Sequence, residues 1–283
     1  MPLAYYDAHN HLQDDGLAPH LGKIAPQLTA LGLRRAVVNG TCEDDWPRVS
    51  ELSLQHSWVL PSFGLHPWDV GNRSLDWLEK LSAALAAHPR AGVGEIGLDR
   101  WILDRARPDD PRLVGLRRAT LDEQAKVFTD QLAIASRDNR PATIHCLDAW
   151  GALDEILRAT AVPARGFLLH AYSGPAEMIQ GFANRGAYFS FNGSFLDDRH
   201  TRHHNSFKLV PPDRLLVETD APAMLLPQPW RTYKLPPSPT GQPVNHPGNI
   251  EAAYAGLASL LGISVEALAT LVEANFTRLF GST

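Results

Sequence analysis

Eight short apolar runs, bounded by glycine, proline or polar residues, punctuate this chain and alternate with stretches of helical spacing. Strand-like runs separated by helical ones require a parallel sheet with right-handed crossovers, because parallel neighbours cannot be joined by a tight turn. The runs cover residues 3–8, 34–40, 58–64, 91–97, 141–146, 166–171, 187–193 and 215–220. They are rich in leucine, β-branched and aromatic residues, the composition of buried strands. Helical spacing covers 75–87, 116–138, 149–160, 175–185, 249–261 and 264–279. Eight strands within 283 residues favour an α/β fold closed into a single (β/α)8 barrel over an open doubly wound sheet. No linker or repeat divides the chain, so residues 1–283 are expected to form one barrel domain.

Two segments lack a regular period. Residues 99–112 are charged and contain Trp101, and read as a long loop after the fourth strand. Residues 221–248 are proline-rich and follow the eighth strand, which places them at the barrel mouth.

A formal net charge of -5 argues against a surface coated for nucleic acid but does not exclude a local site. Cys42 and Cys146 make no disulfide framework and read as reduced, buried thiols. The first residues lack the basic-then-apolar pattern of a secretory signal, and no window is apolar for long enough to span a bilayer. A cytoplasmic location is the expectation, with no membrane partner. Oligomeric state is left open, a monomer included.

The strongest candidate functional residues all fall at the C-terminal ends of the expected strands, the face on which barrel active sites form. His9 and His11 lie two apart in extended chain, so both rings point to one side, with Asp7 on the same parity. They read either as metal ligands or as a surface pair. Glu95, in GVGEIG, is a carboxylate inside an apolar strand, which is costly unless it is paired or holds an ion. His145 and His170 each end an apolar run, and consecutive strand ends converge in a barrel. Asp220 ends the eighth run, and Glu218 on the same face is a supporting group. Four histidines, one glutamate and one aspartate exceed what a single tetrahedral structural zinc needs. They suit two divalent ions sharing a bridging carboxylate, an arrangement that activates water and steadies charge on ester oxygens.

His66, in FGLHPWD, shares that face and is a candidate to donate to a substrate oxygen or to a leaving group, with Pro67 and Trp68 as a wall. Asn192 is a weaker donor candidate. Asp99 is a candidate to support a ligand or cap its loop. The basic run 199–208 reads as a phosphate contact or a solvated loop, and His203 and His204 stand outside the metal set. The chain carries no GxSxG elbow, no phosphate-binding P-loop and no dinucleotide fingerprint. No strand-end lysine offers a carbamylated bridge, so the bridge falls to Glu95.

The motifs together resemble the TatD family of metal-dependent deoxyribonucleases and hydrolases, in the amidohydrolase-like superfamily. The resemblance rests on DAHNH at 7–11, GLHPW at 64–68, GEIGLD at 94–99, IHCLDA at 144–149, HAYSG at 170–174, ETDAP at 218–222 and NHPGNI at 245–250. These pieces span nearly the whole chain in the family's order. The resemblance implies a TIM-type barrel with two divalent ions, magnesium, manganese or zinc. His9, His11, Glu95 and Asp220 would bind one ion, and Glu95, His145 and His170 the other. Asp220 would also help activate the water, and His66 would lie near the substrate phosphate. The implied activity is phosphodiester hydrolysis, as a 3′-to-5′ exonuclease on DNA or RNA, with single-stranded DNA as the leading substrate. Leu147 departs from the pattern, since many relatives carry arginine there, and His246 stands where relatives often carry glutamate. These departures keep a second class open, hydrolysis of a small phosphoester, lactone or cyclic amide. A non-enzymatic barrel that binds a partner is the third.

Overall fold

Each of the eight expected runs becomes a strand. The computed structural model describes residues 3–238 and 241–281. Its strands are β1 (Tyr5–Asn10), β2 (Leu33–Asn39), β3 (Val59–Phe63), β4 (Gly92–Asp99), β5 (Ala142–Leu147), β6 (Phe167–Leu169), β7 (Ala187–Asn192) and β8 (Leu215–Glu218). Neighbours in sequence are neighbours in the sheet, and every pair is parallel. The ring closes between β8 and β1, where Asp220 N–H donates to His9 O at 2.9 Å and His11 N–H to Ala221 O at 2.8 Å. The architecture is a (β/α)8 barrel. β4 is buried along its whole length, as a strand covered on both faces must be.

The helices are α1 (Leu21–Leu31), α2 (Trp46–Gln55), α3 (Trp77–Ala87), α4 (Trp101–Asp104), α5 (Leu121–Arg137), α6 (Trp150–Ala159), α7 (Ile179–Asn184), α8 (Thr201–Phe207), α9 (Ile250–Leu261) and α10 (Val265–Phe280). α1 and α2 were not expected. Pro26 sits inside α1 and Pro47 in the first turn of α2, and each reads as a break, although Ile24 and Leu28, and Trp46, Val49 and Leu52, keep helical spacing. The barrel nonetheless covers Ile24 and Leu28 of α1, and Val49 and Leu52 of α2, and this burial outweighs the lost backbone bond. α5 starts at a reciprocal capping box between Thr120 and Glu123. No single helix among the described residues is long and apolar enough to cross a bilayer.

The loop at 99–112 carries the short helix α4. Among its described residues, the proline-rich segment after β8 forms one 3-10 turn, Gln228–Trp230, between its root and the turn Pro247–Asn249. Leu226 is fully buried and occupies the space a Gly193 side chain would need.

Candidate metal centre

β1 ends with its alternate side chains turned inward, and that parity brings His9 and His11 together with their Nε2 atoms 3.1 Å apart. Both face the same two carboxylate oxygens. Glu95 Oε2 lies 3.4 Å from His9 and 3.2 Å from His11, and Asp220 Oδ1 lies 3.4 Å from each. Four ligands at about 2.0–2.1 Å from one tetrahedral ion would stand about 3.3 Å from each other. Five of the six spacings are therefore close to those of a four-ligand site.

The other oxygen of Glu95 organises a second group. Oε1 lies 3.1 Å from His145 Nδ1 and 2.9 Å from His170 Nε2, and those two nitrogens are 3.2 Å apart. Glu95 thus divides its two oxygens between two sets of imidazoles. The chemistry of the donors, nitrogen and carboxylate oxygen within one ion's reach, fits divalent metal ions. All six expected ligands are brought together, although they come from β1, β4, β5 and the exits of β1, β6 and β8.

Backbone geometry makes this convergence possible. Asp220 and Ala171 adopt φ of 51° and 41°, so the chain turns sharply where it leaves β8 and β6. Gly97 has φ 144°, and a Cβ on it would lie 1.9 Å from the His145 carbonyl oxygen, so glycine lets β4 and β5 approach beside the ligands. Gly94 plays the same part against Thr143.

A surrounding layer of polar groups aims each ring. His11 Nδ1 bonds the Asn39 carbonyl at 2.8 Å, and the Asn39 amide pairs with His9 Nδ1 at 3.0 Å. His145 Nε2 bonds Asp99 Oδ2 at 3.1 Å, an oxygen that also accepts the Trp68 indole N–H at 2.7 Å. His170 Nδ1 lies 3.6 Å from Glu218, whose carboxylate is held by Ser190 and Asn192. Asp7 does not reach the donors. It grips the β8 exit instead, accepting from Thr219 N–H at 3.0 Å and its hydroxyl at 2.6 Å. Asn192 bonds Glu218 and the Thr219 carbonyl and is fully buried, so it faces no substrate. From α5, the Gln124 and Gln131 amides each clamp a backbone, Gln124 at Asp99 and Gln131 at Leu65. Sequence reasoning missed Asn39, Ser190 and both glutamines. The signal for the glutamines was two polar residues seven apart on the apolar face of a helix.

The electrostatics follow from this crowding. Burial opposes ionisation of Glu95, yet the rings of His170, His9 and His11 hold its carboxyl well below the usual range. Burial likewise opposes a charge on Asp220, and hydrogen bonds from His11 and His9 keep it ionised. Burial works against charge on His11 too, and Asp220 and Glu95 push its pKa well above 6.5. His66 behaves differently. Burial lowers it to about 3, against the pull of Glu95, so the ring is neutral. Its Nδ1 accepts the Trp68 backbone N–H at 3.2 Å, which leaves the proton on Nε2, 3.5 Å from Glu95 Oε1. His66 is thus a neutral donor beside the second donor group.

The centre forms the floor of an open cleft of about 740 Å³. Trp68 is on its wall, and Trp101 stacks on Trp68 with ring centres 6.0 Å apart. The Arg112 guanidinium lies over Trp101 at 4.7 Å. Leu147 lines the same cleft, as does Cys42, which is only partly buried, contrary to its expected burial; Cys146 is buried. Of the loop after β8, Pro222, Ala223 and Met224 reach the cleft, and Trp230, Arg231 and Lys234 are not part of its lining. His246 has a structural part: its Nδ1 accepts the Gly248 N–H at 2.9 Å and its Nε2 meets Gln27 at 3.1 Å.

Comparison with known proteins agrees with the geometry. The family model described as TatD related DNase matches residues 6–281. A Bacillus subtilis protein named uncharacterized metal-dependent hydrolase YabD is 28% identical over 280 residues, covering 97% of this chain and 98% of that protein. An Escherichia fergusonii protein named 3′-5′ ssDNA/RNA exonuclease TatD is 28% identical over 281 residues, 98% of each. The solved structure of YJJV, a TatD homolog from Escherichia coli, superposes with a TM-score of 0.84 at 25% identity over the full length of both chains.

Proposed function

The chain belongs to the TatD related DNase family, and from that premise we propose that it removes nucleotides from the 3′ end of a single strand of nucleic acid. It is a metal-dependent hydrolase of the nuclease type, acting on ester bonds. The finer reading is carried by one observation, the division of the Glu95 oxygens between two sets of imidazole donors on the floor of an open cleft.

In this reading His9, His11, Glu95 and Asp220 would hold one divalent ion, and Glu95, His145 and His170 a second, drawn from magnesium, manganese and zinc. Such ions supply positive charge that lowers the pKa of water and steadies the oxygens of a reacting phosphodiester. The Asp220 carboxylate, ionised and 7% exposed, accepts the proton of the attacking water. Glu95 keeps the two donor groups in one frame. His66, neutral with its proton on Nε2, donates to a phosphoryl oxygen as charge builds there. Asp99 keeps His145 oriented through its Nε2. Trp68 on the cleft wall offers aromatic surface to a terminal base.

The test is stepwise shortening of a 5′-labelled single-stranded oligonucleotide in manganese or magnesium, beside Glu95→Gln. Shortening that the variant lacks supports the reading. An intact oligonucleotide after incubation with folded, metal-loaded protein overturns it.

A second reading draws on the cleft rim. Asp14, Asp15, Asp45 and Asp69 line it, and Leu147 adds no cation. Carboxylates at that rim repel a long polyanion and favour a small phosphoester, lactone or cyclic amide. Turnover of such a compound by protein that leaves the oligonucleotide intact would select it.

A further inference from the structure

The acidic residues of the rim are not spread evenly. Asp14 and Asp15 follow β1, Asp45 follows β2 and Asp69 follows β3. Arg48 also lines the cleft, but it is closed on Asp15 at 2.6 Å. Asp45 is taken up by Thr41 and Gln13, and burial raises Asp69 to about 7, but none of the four aspartates can donate a charge-assisted bond to a second phosphate, so this arc offers it no anchor.

By strand order, the exit of β7 lies across the mouth from β3. There the chain carries the basic run 199–208, for which the sequence leaves a phosphate contact and a solvated loop as alternatives. The structure separates its members. Arg199 closes on Asp197 through two hydrogen bonds of 2.9 and 2.8 Å. His204 Nε2 bonds the Phe195 carbonyl at 2.6 Å. Arg202 is exposed and outside the cleft lining. His200 and His203 line the cleft with Glu95 and Asp220.

These two imidazoles are held in place. Their Nδ1 atoms meet at 3.2 Å, and the His203 ring stacks on the buried Phe195 ring at 4.4 Å and 19°. In the neutral pair one Nδ1–H donates to the other Nδ1, so the accepting ring carries its proton on Nε2. Neither Nε2 has a hydrogen-bond partner among the described residues. A pre-positioned N–H donor in a cleft, opposite a wall of carboxylates, suits an anionic oxygen. Its fixed partner ring and the Phe195 stack lower the entropy cost of using it.

We propose that the His200–His203 pair binds the phosphodiester next to the scissile one, on the part of the strand that stays behind when the 3′ nucleotide leaves. This rests on the exonuclease reading above and adds a direction to it: the retained strand leaves the cleft over the β7 exit, away from the β1–β3 rim. The pair positions substrate and takes no part in bond cleavage.

The experiment compares two substrates in manganese, a dinucleoside monophosphate with one phosphodiester and a trinucleoside diphosphate with two. Wild-type protein is expected to show a lower KM for the longer substrate. In the double variant His200→Gln/His203→Gln that advantage should shrink by about tenfold, the scale of one hydrogen bond to a charged group, with kcat changed less than twofold. Arg202→Gln controls for loss of general positive charge and should keep the advantage. Persistence of the KM advantage in the double variant, or its absence in the wild type, overturns the proposal while leaving the nuclease reading intact. A wild type that cleaves neither substrate nor a longer strand removes the nuclease reading, and this inference with it. A folding defect in the double variant is detected by its thermal midpoint, and the single variant His200→Gln then carries the same comparison, with the same overturning result.

Discussion

The Asp99 carboxylate lies 3.1 Å from His145 Nε2, on the far side of the ring from Glu95, which meets Nδ1 at 3.1 Å. One imidazole is thus held between two carboxylates, one inside the donor group and one behind it. Asp99 also accepts the Trp68 indole and the Ile102 N–H, so the rim and the donor group share an anchor. Asp99→Asn keeps the shape but removes the charge that orients His145. Manganese affinity, measured by calorimetric titration, should fall about 10- to 100-fold, and a variant that binds as tightly as wild type would deny Asp99 this part.

Glu95→Gln removes the group common to both donor sets. The wild-type thermal midpoint should rise on adding manganese, by about 2.7 kcal/mol of stability at a free concentration near a hundred times Kd. The variant should gain almost nothing. An equal rise in both proteins would show that the ion binds elsewhere.

His66→Ala should lower kcat/KM on an oligonucleotide by about 10²–10³, the loss typical of one donor to a developing charge. Manganese binding should stay within twofold, because the His66 proton sits on the nitrogen nearest the donor group. A large loss of metal affinity would make His66 a ligand rather than a donor.

Gly97→Ala places a methyl group 1.9 Å from the His145 carbonyl oxygen at a φ of 144°. Denaturant unfolding should show a loss of about 3 kcal/mol or more, combining overpacking with backbone strain. Gly151→Ala has open space around its new Cβ and lies in α6, so it should be neutral or slightly stabilising.

His246 supplies a pH dependence away from the metal centre. Burial, then the neighbouring His20, lowers its pKa from the usual 6.5 to about 4. The unfolded chain therefore takes up the proton first. Stability is full above pH 6.5 and falls as pH drops toward 4. His246→Asn retains an acceptor for the Gly248 N–H but cannot titrate. Its unfolding free energy should fall less than that of wild type between pH 7 and 4.5. Parallel curves would assign the loss to other groups.

The eight strands and the six side chains that converge at their ends were legible in the sequence because each leaves a local mark. A parallel strand buried on both faces reads as a continuous apolar run, and a charged or imidazole side chain closing such a run stands out against it. The parity of His9 and His11 is equally local, since side chains two apart in extended chain face one side. Helices α1 and α2 were hidden for a local reason too. Pro26 and Pro47 read as helix breakers that outweigh a correct apolar spacing, and burial against the barrel is what supports these helices.

The tertiary structure alone decided the distances and the partners of each side chain. The sequence offers Glu95 as a shared carboxylate, but only the fold turns Oε2 to His11 and Oε1 to His170, rings that arrive from strands on different sides of the barrel. The proton on His66 Nε2 follows from a backbone N–H two residues away, which only the folded turn brings to Nδ1. Asn39, Gln124 and Gln131 were indistinguishable from ordinary polar residues until closure buried them against the backbone and rings they hold. The basic run 199–208 was likewise a single cluster in sequence, and folding sent Arg199 to Asp197 and His200 and His203 to the cleft. Periodicity reports which face of an element is buried; what that face meets depends on elements distant in the chain, and ring closure determines which of them meet.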